Sequence, residues 1–318
     1  MEFVCYMKKI SIVSGCYNEE ENIELLYKKI FLHCDAFKGK YDFELIIIDN
    51  CSVDNTPKIL KRLAEHDKRL KVILNSRNFG HIRSPFYAIT QATGDAVIYM
   101  ASDLQDPPAL ISDLIKSWEE GYKVVMAVKK SSQESKFLFF IRKLFYDLIK
   151  KLSDDDTQLI KNYTGFGLYD KKIIDTIRLI DDPYPYFRGL VCEIGFDKKI
   201  IEFDQPLRKN GKSKNNFYTM YDNAMIGIVK HSKMPLRIMT FAGFLLSFLS
   251  LLVSFGYLAA KLVFWENFEL GIAPLIISIF FFSSVQLFFM GILGEYIGAI
   301  YTRVNKKPLV VEKERINF

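Results

Sequence analysis

Two charge-free apolar runs near the end of the chain, residues 238–260 and 271–294, set the strongest limit on how it folds. Each is long enough to cross ~30 Å of hydrocarbon as a helix. The link between them, KLVFWENFEL, is short and holds Glu266 and Glu269 against a single Lys261. Outside the pair the flanks are basic: Lys230, Lys233 and Arg237 before it, then Arg303, Lys306, Lys307, Lys313 and Arg315 after it. A helical hairpin buried in a soluble core needs no such asymmetry, whereas positive charge marks the cytoplasmic side of membrane helices. The sequence therefore predicts a two-helix transmembrane hairpin within 237–298, with spans at about 238–262 and 271–295. Both the preceding domain and a basic tail, 299–318, are expected in the cytoplasm, so the protein is expected to be a multi-pass protein of the cytoplasmic (inner) membrane.

Composition narrows the rest. Five scattered cysteines (Cys5, Cys16, Cys34, Cys51, Cys192) have no CxxC or His-partnered spacing, which argues against a disulfide framework or a zinc site. The start, MEFVCYMKKISIV, has no long apolar stretch behind a basic head, so no secretory signal is expected. The net charge of +6 gathers around the hairpin rather than along a basic stripe, and nucleic acid is not an expected partner.

Before the hairpin, four segments repeat one scheme. KKISIVSGCYNEEENIELLYKKIFLHC, YDFELIIIDNCSVDNTPKILKRLAEH, LKVILNSRNFGHIRSPFYAITQAT and DAVIYMASDLQDPPALISDLIKSWEEG each read as strand, polar loop, then helix. Alternation of that length implies an α/β domain with a mostly parallel sheet, Rossmann-like, covered by helices on both faces. Ligands then bind at the carboxyl ends of the strands, where all the polar loops fall. YKVVMAVKK adds a strand. The stretch 136–152 predicts an amphipathic helix with aromatic and basic residues, suited equally to packing and to a membrane surface. Residues 215–236 are read as a juxtamembrane amphipathic segment.

The loops hold the chemistry. In SDLQDPP, Asp103 and Gln105 offer a carboxylate and an amide oxygen, suited to a hard cation such as Mg²⁺ or Mn²⁺. Asp106 is expected to cap the following helix, with Pro107 at its first position. GCYNEEEN offers Tyr17 and Glu19 for a nucleobase, although acids in a first helical turn also suit the helix dipole. DNCSVDNT offers Asp49, Asn50 and Asp54, and NSRNFG offers Arg77 and Asn78. In isolation RKNGKSK would be a solvated basic loop.

Taken together, CYNEEENI, IIIDNCSVDNT, SRNFG, SDLQDPP, RKNGKSK and GILGEYIGAIYTRVNKKP resemble glycosyltransferase family 2. The likeness is to its polyprenyl-phosphate glycosyltransferases, related to dolichol-phosphate mannose synthase and bactoprenol glucosyl transferases, and runs from about residue 9 to 308. The resemblance implies a GT-A domain over 1–214 that binds a UDP- or GDP-sugar with a divalent cation. It also implies inverting transfer of the sugar to a polyprenyl phosphate, undecaprenyl or dolichyl, for cell-envelope glycans. Carried over by position, Tyr17, Glu19, Asp49, Asn50, Arg77 and Asn78 would contact the nucleotide sugar, and Asp103 with Gln105 would hold the metal. Arg208, Ser213 and Lys214 would close over the phosphates, joined by Arg188. Relatives are often tetrameric, which makes a homo-oligomer an expectation too.

Five positions in three motifs depart from the family pattern. Ala101 stands where an acid is usual, Asn50–Cys51 replaces Asp–Gly, and Gly165 and Gly167 of YTGFGLYD replace an Asp and an Arg. A polyprenyl phosphate is already anionic and needs no base to attack, whereas a sugar hydroxyl does. The missing Asp thus favours a phosphate acceptor. Transfer to a sugar hydroxyl of a lipid-linked glycan and a non-catalytic nucleotide-sugar-binding scaffold are the alternatives.

Overall fold

The computed structural model describes residues 7–130, 160, 162–180, 182, 185–206, 234–263, 272–305 and 307–318. The chain forms two compact units, one of Met1–Lys143, Thr157–Phe217 and Asn305–Phe318, the other of Leu144–Asp156 and Tyr218–Val304.

The first unit is built on strands β1 (Lys8–Cys16), β2 (Tyr41–Asp49), β3 (Leu70–Asn75), β4 (Ala96–Tyr99), β5 (Val124–Lys129), β6 (Tyr163–Asp170), β7 (Lys198–Phe203) and β8 (Glu312–Ile316). They form one sheet in the order β7-β5-β6-β4-β1-β2-β3-β8. Strands β4, β1, β2 and β3 are parallel neighbours, as are β5 and β7. β6 runs antiparallel between β4 and β5, and β8 runs antiparallel along β3. The sheet is therefore mixed rather than purely parallel.

Alternation along the strands sorts the core into two layers. Ile10, Ile12, Leu45 and Ile47 pack with helices α1 (Ile23–Cys34), α2 (Thr56–His66) and α4 (Ile111–Glu119). Val13, Ile46 and Ile48 pack on the other face with α3 (Gly80–Gln91), α5 (Lys171–Leu179) and α6 (Phe187–Glu193). Helices on both faces of a sheet leave only its strand ends open to ligands.

The stretch expected as a basic tail, 299–318, holds the edge strand β8 at Glu312–Ile316. Its fixings are nonlocal: Ser76 N–H donates to Val311 O at 2.9 Å, Arg315 reaches Gln91 at 3.0 Å, and the Asn317 amide donates to Ala64 O at 2.7 Å.

In the second unit, Met234–Val263 and Ile272–Val304 are long helices, α7 and α8. Among the described residues, one stretch, Phe281–Val304, is long and apolar enough by length and composition to cross a membrane. Phe241, Phe244 and Phe248 of α7 and Leu287, Phe288 and Ile297 of α8 are exposed. The predicted helix over 136–152 and most of 215–236 lie outside the described residues.

Candidate functional site

Parallel pairing puts the ends of β1, β2, β3 and β4 on one rim. Cys16 lies beside Asp49, Asp49 beside Leu74, and Val13 beside Tyr99. The loops leaving β1 and β2 are laced together. Asn18 N–H donates to Ser52 Oγ at 2.8 Å, and Val53 N–H donates back to Asn18 Oδ1 at 2.9 Å. Glu19 N–H donates to Thr56 Oγ1 at 2.9 Å, while Glu20 Oε2 accepts from Asn55 N–H at 2.9 Å. Asn18 and Cys51 both sit at positive φ, 54° and 64°, where Asn is tolerated and Cys is strained.

Two of the acids expected at the nucleotide are engaged inside this lacing. Asp49 is only 2% exposed. Its Oδ2 accepts Ser52 N–H at 3.0 Å, its Oδ1 accepts Ser52 Oγ–H, and Cys16 Sγ lies 3.7 Å from Oδ1. Burial pushes its carboxyl up from the ordinary value, against those hydrogen bonds. The buried Glu19 carboxylate accepts from Asn22 Nδ2 at 2.7 Å. Tyr17 is half-buried just past β1. Asp49 thus shapes the β2 loop as an Asx turn, a role its spacing to Ser52 signals in the sequence.

Asn50, 6% exposed, joins the second loop to the third. Its Nδ2 donates to Asn78 Oδ1 at 2.8 Å and to Gly80 O at 3.2 Å. Its Oδ1 accepts from Phe79 N–H at 2.9 Å and Asn75 Nδ2 at 3.2 Å. Asn78 Oδ1 also accepts Gly80 N–H at 2.8 Å. Arg77 is exposed and lies 4.0 Å over the Phe79 ring, with Nη1 3.2 Å from Asn78 O. A planar cation stacked on an aromatic ring is pre-oriented for an anion.

At the end of β4 the chain makes a tight turn. Leu104 has φ 60°, and Gln105 N–H donates to Asp103 Oδ1 at 3.2 Å. Asp106 does not cap the next helix: a 3₁₀ turn, Pro108–Leu110, intervenes, and α4 starts without a side-chain cap. Instead the buried Asp106 accepts Ala101 N–H at 2.9 Å, closing the turn around Asp103. Burial raises the Asp106 carboxyl to about 6, with the Asp103 charge adding to the rise. Ser102 Oγ–H donates to Gly15 O at 3.0 Å, tying this turn to β1.

Asp103 and Gln105 are half-buried at the rim, and only one Asp103 oxygen is used by the turn. No group of three or more His, Cys, Asp or Glu side chains suited to a metal occurs among the described residues. That donor set is too small for an all-protein cage. It fits Mg²⁺ or Mn²⁺, which are held through one or two carboxylates plus substrate phosphates and water.

The glycines of β6 explain the missing Asp and Arg. Gly167 pairs with both Tyr99 and Met126, and a Cβ there would stand 2.3 Å from Val125 O. Gly165 has φ +100°, and its Cβ would stand 3.4 Å from the Tyr99 ring and 3.7 Å from Arg188 Cγ. Gly167 has no room for a side chain, and Gly165 holds a backbone conformation that strains any side chain. Tyr99, Tyr169 and Phe86 close around Phe187, with the Tyr169 and Phe187 ring centroids 4.9 Å apart. Tyr169 Oη–H donates to Gly165 O at 2.5 Å. Arg188 emerges beside this cluster, 5.1 Å over the Tyr186 ring, with Nη1 3.3 Å from Tyr163 O.

Asp170 has a structural task. It caps α5 and accepts from Trp118 Nε1 and Lys123 Nζ, each at 2.9 Å. Arg208, Ser213 and Lys214 lie outside the described residues. Sequence reasoning missed Ser52 and Asn75 as residues that shape the rim, and gave Asp106 a helix-capping role in place of its bond from Ala101 N–H. Their only signal is a short polar side chain near a strand end.

Fold and rim define a Rossmann-like α/β protein with a polar rim at the carboxyl ends of its parallel strands. The profile of glycosyl transferase family 2 matches residues 11–178, and the chain belongs to that family. It is 33% identical to an uncharacterized glycosyltransferase of Synechocystis sp. over 95% of this chain and 93% of that one. An uncharacterized glycosyltransferase of Bacillus subtilis is 35% identical, over 95% and 92%. The SfII prophage-derived bactoprenol glucosyl transferase of Shigella flexneri is 32% identical, over 96% and 98%.

Proposed function

We propose that this protein is a membrane-anchored inverting glycosyltransferase that moves a sugar from a UDP- or GDP-sugar to a polyprenyl phosphate. The carrying observation is near-full-length similarity to a bactoprenol glucosyl transferase, helical segment included. In this reading the nucleotide lies along the rim formed by the β1, β2 and β3 loops, with Arg77 and Asn78 at its edge. Asp103, with Gln105, would hold Mg²⁺ or Mn²⁺, which supplies positive charge to the diphosphate leaving group. Arg208, Ser213 and Lys214 would gather over the same phosphates, where cations offset charge developing on the departing nucleoside diphosphate.

The acceptor side is drawn by β6 and α6. Gly165 and Gly167 bring no base, and an anionic phosphate oxygen needs none. Arg188, stacked on Tyr186, would join the residues over the donor phosphates. The reading places α7 and α8 as two membrane spans, with the family domain and β8 on the cytoplasmic side, where polyprenyl phosphate meets soluble nucleotide sugar. The exposed phenylalanines of both helices support the anchor.

The test is to incubate purified protein with a panel of labelled UDP- and GDP-sugars, polyprenyl phosphate and Mg²⁺ or Mn²⁺. The expected result is one lipid-linked product; none across the panel refutes the reading.

A further inference from the structure

Asn50 replaces an acid of the family pattern, and its surroundings show what the amide does. Phe79 N–H can only donate and Gly80 O can only accept, so the amide has one orientation. In that orientation both N–H groups and both acceptor positions are used within the protein. The residue is buried, and its own N–H donates to Cys16 O at 2.9 Å. A carboxylate there would face the Asn78 and Gly80 oxygens with no proton to share.

We propose that Asn50 is a positioning residue: through Asn78, Phe79 and Gly80 it fixes the turn that presents Arg77 and Asn78, and it does not itself touch the nucleotide. The turn needs such a fastening. Gly80 stands at φ 88°, and Arg77 keeps its stacked position only while Phe79 is held. Asn75, which joins Asn50 to Ser84 at the start of α3 (Nδ2 to Ser84 Oγ 2.9 Å), extends the fastening into the helix. The inference rests on reading the rim as a nucleotide-sugar site.

The experiment uses full-length protein in detergent. UDP and GDP are titrated into wild type, Asn50→Ala, Asn50→Asp, Asn78→Ala and the double variant Asn50→Ala/Asn78→Ala. Amide hydrogen exchange of residues 76–81 is followed without nucleotide. The expected result is faster exchange over 76–81 in both Asn50 variants and affinity lower by about tenfold. In the Asn78→Ala background, adding Asn50→Ala should cost less than about threefold more, because the two act as a unit. Unchanged exchange with losses that multiply would overturn the proposal and make Asn50 a direct contact. If Asn50→Asp does not fold, the alanine cycle and its exchange decide alone. If wild type binds neither nucleotide, the site reading fails, and exchange in the Asn50→Ala variant still judges the fastening.

Discussion

The Asp106 carboxylate accepts the Ala101 backbone N–H at 2.9 Å. The residue that stands in place of a family acid is thus held by another acid of the same turn. The second carboxylate of SDLQDPP shapes the loop and leaves Asp103 as the acid available to a cation.

Replacing Asp106 separates shape from charge. Asp106→Asn keeps an acceptor for the Ala101 N–H and should retain near wild-type stability and turnover. Asp106→Ala strands that N–H and should cost about 1–3 kcal/mol, with turnover falling at least about tenfold as Asp103 loses its frame. Thermal unfolding and metal-dependent turnover of both variants check this. Equal behaviour of the two would contradict the assigned hydrogen bond.

Asp103→Asn tests the metal assignment. Turnover should fall by at least about 100-fold, and the Mn²⁺ concentration needed for half-maximal activity should rise. Wild-type metal dependence in this variant would remove Asp103 from the site.

Restoring the family acid should not help. Gly165→Asp forces a side chain onto φ +100° beside Tyr99, at a cost of about 1–3 kcal/mol, and turnover should not increase. Gly167→Ala meets Val125 O and should disrupt the β5–β6 pairing, seen as loss of cooperative unfolding. A more active Gly165→Asp enzyme would show that a base is missing.

Acid stability should follow Glu44, at the other end of the sheet from the rim. Its buried carboxylate pairs with Lys9 at 2.8 Å and Lys71 at 2.7 Å and accepts from Ser11 Oγ at 2.5 Å. Burial alone would raise its pKa, but these partners and the Thr93 N–H lower it to about 2. A depressed carboxyl stabilises the fold above its unfolded pKa of ~4.3 and loses that contribution as pH falls through the folded value. Glu44→Gln should cost about 3–5 kcal/mol at pH 7 and flatten the fall in stability between pH ~4.3 and ~2. An unchanged acid limb in urea or thermal melts would contradict the network.

The four strand–loop–helix units were legible because apolar runs and polar loops alternate locally, and their rim follows from parallel pairing. β8 was not legible: EKERI is charged, and only its pairing with β3, far away in sequence, makes it a strand. The role of Asn50 was hidden for a related reason, and Asp106 was expected to cap a helix rather than to hold the Ala101 N–H. A polar residue at a strand end looks alike whether it faces a ligand or the neighbouring loop. Gly165 and Gly167 were visible as losses, while the Val125 carbonyl that excludes a side chain at Gly167 belongs to another strand and the positive φ that strains one at Gly165 is set by the fold. Arg208, Ser213 and Lys214 remain expectations drawn from their motif.

The central claim is that this site transfers sugar to a phosphate and needs no protein base. The most direct measurement compares three acceptors with one accepted nucleotide sugar: polyprenyl phosphate, the corresponding polyprenol, and a sugar-bearing polyprenyl lipid without a free phosphate monoester. The account predicts product with polyprenyl phosphate alone. Product on the polyprenol or on the sugar hydroxyl, with none on the phosphate, would contradict it.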